Sequence, residues 1–332
     1  MAYRLKKGES VPDGIKRITA GEIDSAIERL EHCGRKNRDE AIHEARKSVK
    51  KIRGALRLLR PELGDTYRDE NGRFRELGHR LSGIRDAQAT LEMFDALSKD
   101  YADVVEKSTL AAIRRGIELA KRETVRATGV GKLIQDAIGM LSSGRKRIAQ
   151  WPLQEDGFTA IAPGLKLTYR RGRKALAKVL RNPDPVNYHT LRKRVKDHWY
   201  HIRLLESLWT EMQQARESSL HELETWLGDD HNLVVLCEQL QKEPDRYGGQ
   251  QDVHLFLTLA AEHQKKLRDD SIALSRRVYE EKPGQFAGRM EKLWEAWQQD
   301  PKSMKEVQKE QRNLPRKRPA KASLGRRKAA VA

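Results

Sequence analysis

The sequence has little of what several common protein classes require. Its two cysteines, Cys33 and Cys237, stand alone, with no CxxC spacing and no histidine pair at zinc-ligand distance. We therefore expect no disulfide framework and no structural metal. No stretch approaches the roughly 20 apolar residues that cross a bilayer, and the charged amino terminus lacks the apolar region of a secretory signal. These absences favour a cytoplasmic protein with no membrane span.

The motifs of common nucleotide-binding and hydrolytic enzymes are also missing. There is no Gly-x4-Gly-Lys-Ser/Thr loop, no G-x-S-x-G elbow and no HExxH helix. Nor does the chain show the acidic metal ligands that phosphoryl transfer normally needs. We interpret Asp229, Asp230 and His231 as a helix start rather than a metal site. The sequence predicts a protein that is not an enzyme and needs no cofactor.

The abundant residues favour helices. Leu, Ala, Glu, Lys, Arg and Gln dominate, aromatic residues make up only 6%, and apolar residues recur with a period near 3.6. No alternating run suggests a sheet, so we predict an all-α fold. The helices are expected at about 21–33, 38–60, 67–82, 85–99, 103–127, 131–149, 165–181, 185–207, 209–227, 230–242, 250–281 and 287–299.

The charge is strongly one-sided. A formal net charge of +18 predicts a polyanionic partner, which could be DNA, RNA, an acidic membrane surface or a phosphate polymer. Half of that charge, +9, lies in residues 302–332, which contain prolines and few apolar residues. We expect residues 301–332 to form a disordered basic tail that binds nucleic acid weakly and without specificity.

A basic helix recurs in the sequence after 146 positions. His43, Arg46, Lys47, Lys50, Arg53 and Arg57 correspond to His189, Arg192, Lys193, Lys196, Trp199 and Arg203. The six positions of the first copy fall within about a third of a helix circumference, and Val49 and Ile52 lie on the other side. A single basic face is usually only solvated. Its repetition in register favours one anion-binding surface made from two halves.

The same register extends beyond the basic helices. Leu77 and Leu81 correspond to Leu223 and Leu227, and Asp86 corresponds to Asn232. We interpret Asp86 and Asn232 as N-caps of the helices that follow them. The duplication predicts two four-helix-type bundles, at 1–150 and 151–300, related by a pseudo-twofold axis.

Four segments together resemble the CHAD family, the conserved-histidine α-helical domain. They are HEARKSVKKIRGALRLL (43–59), LSGIRDAQATL (81–91), TYRRGRKAL (168–176) and YHTLRKRVKDHWYHIRLL (188–205). The resemblance covers about residues 10–285. It implies a basic groove or pore between the bundles, inorganic polyphosphate as the ligand, and association with polyphosphate granules. Trp199 opposite Arg53 and Asp197 opposite Lys51 depart from the pattern, so we expect fewer phosphate contacts from the second half.

Polyphosphate suits such a surface because a row of cations along a helix places charges roughly 5 Å apart. Arg can hold two phosphate oxygens, whereas Lys acts as a point charge. We expect the two leading histidines to gain charge beside phosphate as the pH falls from about 8 to 6. The predicted polyphosphate-binding residues are His43, Arg46, Lys47, Lys50, Arg53, Arg57, Tyr169, Arg170, Arg173, Lys174, His189, Arg192, Lys193, Lys196 and Arg203.

Two alternatives to polyphosphate binding stay open. The first is a nucleic-acid-binding or nucleoid-associated protein, because a basic tail binds any polyanion. The second is an enzyme, such as a polyphosphate phosphatase or a carrier phosphorylated on histidine.

Overall fold

The computed structural model describes residues 2–34 and 36–301, and within these ranges it contains eleven α-helices and no strand. The predicted all-α fold class is confirmed. The predicted basic tail lies outside the described residues from Lys302 onward. The helices are α1 Val11–Glu31, α2 Arg38–Leu58, α3 Arg60–Arg80, α4 Ser82–Asp100, α5 Lys107–Ala127, α6 Val130–Arg147, α7 Gly157–Arg181, α8 Pro185–Leu204, α9 Thr210–Lys242, α10 Gln250–Val278 and α11 Pro283–Gln299.

Several helices begin earlier than the sequence suggested, and α1 and α7 show why. Helix α1 begins at Val11, where the Ser10 side chain accepts a hydrogen bond from the backbone N–H of Asp13 at 3.1 Å. Helix α7 begins at Gly157 and continues through Pro163. Next to that proline, Gly164 packs against the end of α2, where a Cβ would lie 1.8 Å from the carbonyl oxygen of Leu58. Only glycine permits this close approach of α7 to α2.

Helix α9 is continuous, so the predicted break near residue 228 is wrong. Gly228 and Asn232 lie inside this helix, and Asp86 lies inside α4, so neither Asp86 nor Asn232 is an N-cap. Gly228 is required by packing rather than by a turn, because a side chain at this position would crowd a neighbouring residue. A Cβ at Gly228 would lie only 3.3 Å from Nη2 of Arg192.

The hydrophobic side chains form two clusters. The larger cluster joins α1, α2, α3, α6, α7, α8, α9, α11 and the end of α10, and the smaller one joins α4, α5, α9 and most of α10. In the smaller cluster the rings of Phe94 and Phe256 stack at 5.2 Å. Each cluster contains residues from both sides of position 150. The division into bundles at 1–150 and 151–300 stays a prediction.

The two basic helices contact each other. Gly54 of α2 meets Tyr200 of α8, where a Cβ on the glycine would lie 2.8 Å from the tyrosine Cβ. Nε2 of His201 also lies 3.1 Å from the carbonyl oxygen of Gly54. The apolar faces of both helices, including Val49 and Val195, are buried as predicted. This crossing places the basic faces of α2 and α8 side by side.

Among the described helices, none combines the length and the apolar character that crossing a bilayer demands.

Candidate anion-binding site

Four cationic side chains from the two basic helices share one site, which we call the central cationic group: Arg46 and Lys50 of α2, and Arg192 and Lys196 of α8. Each pair is spaced four residues apart, so its two side chains lie on the same helix face. Burial is the largest influence on the pKa of Lys50, and Lys196, Arg46 and Arg192 lower it further. Burial also lowers the pKa of Lys196; Glu224 opposes this effect and the same two arginines add to it.

Three members of the central cationic group have acidic partners. Arg46 approaches Asp86 at 3.4 Å and donates to the carbonyl oxygen of Leu81 at 3.1 Å. Arg192 and Lys196 both pair with Glu224 of α9, the former at 3.5 Å. Glu224 is buried, so this carboxylate contacts the two α8 cations from the protein interior.

Lys50 is the exception. It has no ion pair or hydrogen bond with any residue in the described part of the chain, although its side chain is half-buried. Burial and the neighbouring cations lower its pKa to about 7. An anion bound here would reverse that effect, because a negative charge favours the protonated amine. No acidic residue in the described part of the chain forms an ion pair with Lys50, so a bound anion could take that place.

The leading histidines are neutral near pH 7 in the free protein. Burial and Arg85 lower the pKa of His43. Burial and the adjacent His231 lower the pKa of His189 to about 4, with the two imidazole rings 4.1 Å apart. The predicted gain of charge between pH 8 and 6 concerns the phosphate-bound state and stays a prediction. A neutral imidazole can still donate one hydrogen bond to phosphate.

The other predicted cations of the basic helices lie outside the central cationic group. Lys47 and Lys193 are exposed, and Lys47 pairs with Glu44 at 2.8 Å. Arg203 pairs with Glu217 at 3.2 Å. Arg53 and Arg57 extend the row on α2 past the crossing; their contacts are Asn71 at 3.1 Å and Asp197 at 3.0 Å respectively.

The four predicted residues of α7 lie in different surroundings. Tyr169 is fully buried, its hydroxyl donates to the carbonyl oxygen of Val278 at 3.1 Å, and its ring stacks on Phe286. Since its ring and hydroxyl are enclosed by the core, we leave Tyr169 out of the proposed site. Arg173 donates to backbone carbonyl oxygens just beyond the end of α10. Arg170 and Lys174 are exposed on α7.

Glu224 was missed in the sequence, although it anchors half of the central cationic group. Its only signal is an acidic residue between Leu223 and Leu227, on the apolar side of a helix. Asp229, Asp230 and His231 lie inside α9 and do not start a helix; Asp230 pairs with Arg268 at 2.6 Å. Residues 2–34 and 36–301 contain no cluster of three or more acidic, His or Cys side chains arranged to hold a metal ion.

The fold and site define an all-helical protein with a cationic site between two basic helices. The family model of the CHAD domain matches residues 22–241, about two thirds of the sequence, so the chain belongs to the CHAD domain family. That family is linked to polyphosphate binding. The predicted family resemblance is thus confirmed.

Two solved structures have a similar fold. The crystal structure of the CHAD domain from the plant Ricinus communis has a TM-score of 0.63 and 17% sequence identity, covering 84% of this chain and 95% of that one. PptA from Streptomyces chartreusis has a TM-score of 0.56 and 12% identity, covering 82% of this chain and 100% of that one. At these identities the likeness concerns the fold alone. No curated protein matches the sequence.

Proposed function

We propose that the protein binds inorganic polyphosphate, without catalysis, at the central cationic group. The observation that carries this proposal is Lys50, a half-buried amine with no described ion-pair partner that lies among three other cations. Membership of the CHAD family supports the choice of polyphosphate among the polyanions.

The chemistry of the ligand matches the central cationic group. A polyphosphate chain carries about one negative charge per phosphate and has no base edge or apolar face, so its recognition relies on cations and neutral donors. Arg46 and Arg192 supply guanidinium forks that can hold two oxygens each, and Lys50 and Lys196 supply point charges. Each charge-assisted hydrogen bond contributes on the order of 1.5–3 kcal/mol.

Binding would also relieve repulsion that the free protein tolerates. Four cations face only two described acidic partners, Asp86 and Glu224. A bound phosphate would neutralise the excess and raise the pKa of Lys50, so that the lysine carries its full charge. We propose that His43 and His189 add neutral donors at the start of each basic helix, and that the exposed Lys47 and Lys193 extend the surface.

We further propose that the two halves form one shared site on a pseudo-twofold axis, and that the protein associates with polyphosphate granules in the cytoplasm. The contact of Gly54 with Tyr200 supports the axis, because these residues are 146 positions apart, the same shift that relates the basic helices. The family's link to polyphosphate supports the association with granules.

Direct competition tests the proposed function. Long-chain polyphosphate labelled with a fluorophore is displaced from the protein by unlabelled polyphosphate, duplex DNA or single-stranded RNA at about 150 mM salt, where weak non-specific contacts are screened. We expect polyphosphate to compete far more strongly than either nucleic acid at equal phosphate concentration. Equal competition by DNA or RNA would favour the nucleic-acid alternative.

A further inference from the structure

A second group of cations lies beyond the helix crossing, which we call the arginine group. It draws on α2, α3, α7 and α8, with Arg60 at the first residue of α3. Two of its members, Arg57 and Arg194, contact the buried carboxylate of Asp197 at 3.0 and 3.1 Å. The six arginines are Arg53, Arg57, Arg60, Arg75, Arg171 and Arg194.

The members of the arginine group lie close to one another and to Tyr67. The guanidinium of Arg60 lies over the Tyr67 ring, 5.0 Å from its centroid. Arg171 is close enough to Arg60 and Arg194 that both lower its pKa, after the larger effect of burial. Burial, with smaller effects of Arg57 and Arg75, likewise lowers the pKa of Arg53 to about 10. The arginines therefore repel one another across a single patch.

Negative charge is scarce in the arginine group. Every ion pair described for its members goes to one carboxylate, that of Asp197. Arg60, Arg75 and Arg171 have no ion pair with a residue in the described ranges. Six guanidinium groups around one paired carboxylate leave an excess of positive charge, and five of these side chains are half-buried, which makes the excess costly without an anion.

The opposite side of the α2–α8 crossing is neutralised. Lys51 pairs with Glu22 at 2.8 Å, and Arg203 pairs with Glu217 at 3.2 Å. The ring of Tyr3 lies between these two cations, 5.6 Å from each, and its hydroxyl donates to the carbonyl oxygen of Lys51 at 2.8 Å. Cations that serve only the structure have acidic partners here, whereas most of the arginine group does not.

The residues 146 positions after members of the arginine group show the same difference between the two sides of the crossing. Position 206, which lies 146 residues after Arg60, is a glutamate that contacts Arg4. The positions corresponding to Arg53 and Arg75 are Trp199 and His221, whose rings stack 5.0 Å apart. The second half thus replaces three arginines by a carboxylate and two aromatic rings. The positive charge is concentrated on one side of the crossing.

We propose that the arginine group is a second anion site, which binds a distal segment of the same polyphosphate chain that occupies the central cationic group. This inference rests on the proposed function. Lys50 and Arg57 are seven residues apart on α2, which corresponds to about 10 Å along the helix axis. A chain of many phosphates can span that distance and engage both sites, whereas tripolyphosphate is too short and occupies the central group alone. The guanidinium forks suit phosphate oxygens in particular.

Affinity for two chain lengths tests the second site in the full chain. The double variant Arg60→Gln with Arg171→Gln removes two arginines that have no described ion pair. We expect it to weaken binding of long-chain polyphosphate at least tenfold, which corresponds to about 1.4 kcal/mol for the two substitutions together, and to leave tripolyphosphate within about twofold. The matched control is Arg115→Gln with Arg122→Gln, two exposed arginines of α5, which should change neither affinity.

Unchanged affinity for the long chain in the Arg60 and Arg171 variant would overturn the second site. An equal loss for both chain lengths would overturn it too, because the arginines would then belong to the central site. If the double variant fails to fold by circular dichroism, the exposed Arg75→Gln variant provides the same comparison. A wild-type chain that binds neither length would overturn the proposed function itself, and is recognised before any variant is made.

Discussion

Lys50 and Lys196 face the same site from α2 and α8, and only one of them has an acidic partner. Glu224 pairs with Lys196, while Lys50 has no ion pair within the described residues. Burial and Lys196 together bring the pKa of Lys50 to about 7. This difference between two lysines that occupy corresponding positions of the repeat makes Lys50 the group that responds first to a bound anion.

The affinity for polyphosphate should fall as the pH rises through 7. Lys50 is protonated below its pKa of about 7 in the free protein and neutral above it, while a bound anion favours the protonated form. We expect a loss of up to about tenfold per pH unit above 7, levelling off where the pKa of the bound state is reached. Isothermal titration calorimetry from pH 6 to 9 measures it.

The variant Lys50→Arg should flatten this pH response, because a guanidinium stays charged throughout the range. Lys292→Arg, an exposed position of α11, serves as the control and should keep the wild-type profile. A pH response that persists in Lys50→Arg would assign it to another group, such as His43.

Removing the negative charge of Glu224 should tighten polyphosphate binding. This carboxylate competes with phosphate for Arg192 and Lys196, so Glu224→Gln frees both cations for the ligand. We expect a several-fold gain in affinity together with lower thermal stability, because the freed cations repel one another. Glu222→Gln makes the same change of charge at an exposed position of α9 and should change neither the affinity nor the thermal stability. Weaker binding in Glu224→Gln would show that the carboxylate positions the cations rather than competing for them.

The crossing of α2 and α8 should tolerate no side chain at Gly54. A Cβ there would lie 2.8 Å from the Cβ of Tyr200, so Gly54→Ala forces the helices apart and should cost about 1–3 kcal/mol in the free energy of unfolding. Gly139→Ala is the control, because no atom lies within 4 Å of its Cβ position in α6, and it should be stabilising by about 0.5–1 kcal/mol. Urea denaturation measures both, and equal effects would contradict the close contact.

The basic tail should be dispensable for specific binding. Residues 302–332 carry half the net charge but none of the proposed site. A chain ending at Pro301 should keep most of its affinity for polyphosphate and lose most of its weak binding to duplex DNA. For the DNA binding that remains, log affinity should depend less steeply on log salt. Fluorescence anisotropy with both ligands measures this, and equal loss of both activities would contradict it.

The basic helices were readable in the sequence because each one alternates cations and apolar residues with the period of a helix. That pattern predicted which face of α2 is buried, and the repeat indicated that Lys50 and Lys196 occupy corresponding positions. The pKa of His189 could not be read in the same way, since it depends on burial and on His231, which is 42 positions away in the chain.

Two errors of the sequence analysis arise from neighbours that are distant in the chain. Tyr169 stands among basic residues in the sequence, yet Phe286 and Val278 bury it in the core. Gly228 has the sequence signal of a turn, but it stays helical beside Arg192. Four of the six arginines of the arginine group were missed, because residues such as Arg60 and Arg171 are brought together only by the packing of α3 and α7.

The most direct test of the shared site is the stoichiometry and affinity of tripolyphosphate for matched charge reversals in the two halves. Lys50→Glu and Lys196→Glu are measured by calorimetry, with circular dichroism confirming that both variants stay helical. One shared site predicts one tripolyphosphate per wild-type chain and a comparable, severe loss of affinity in each variant. A severe loss of affinity in one variant, with unchanged affinity in the other, would contradict a site built jointly by α2 and α8.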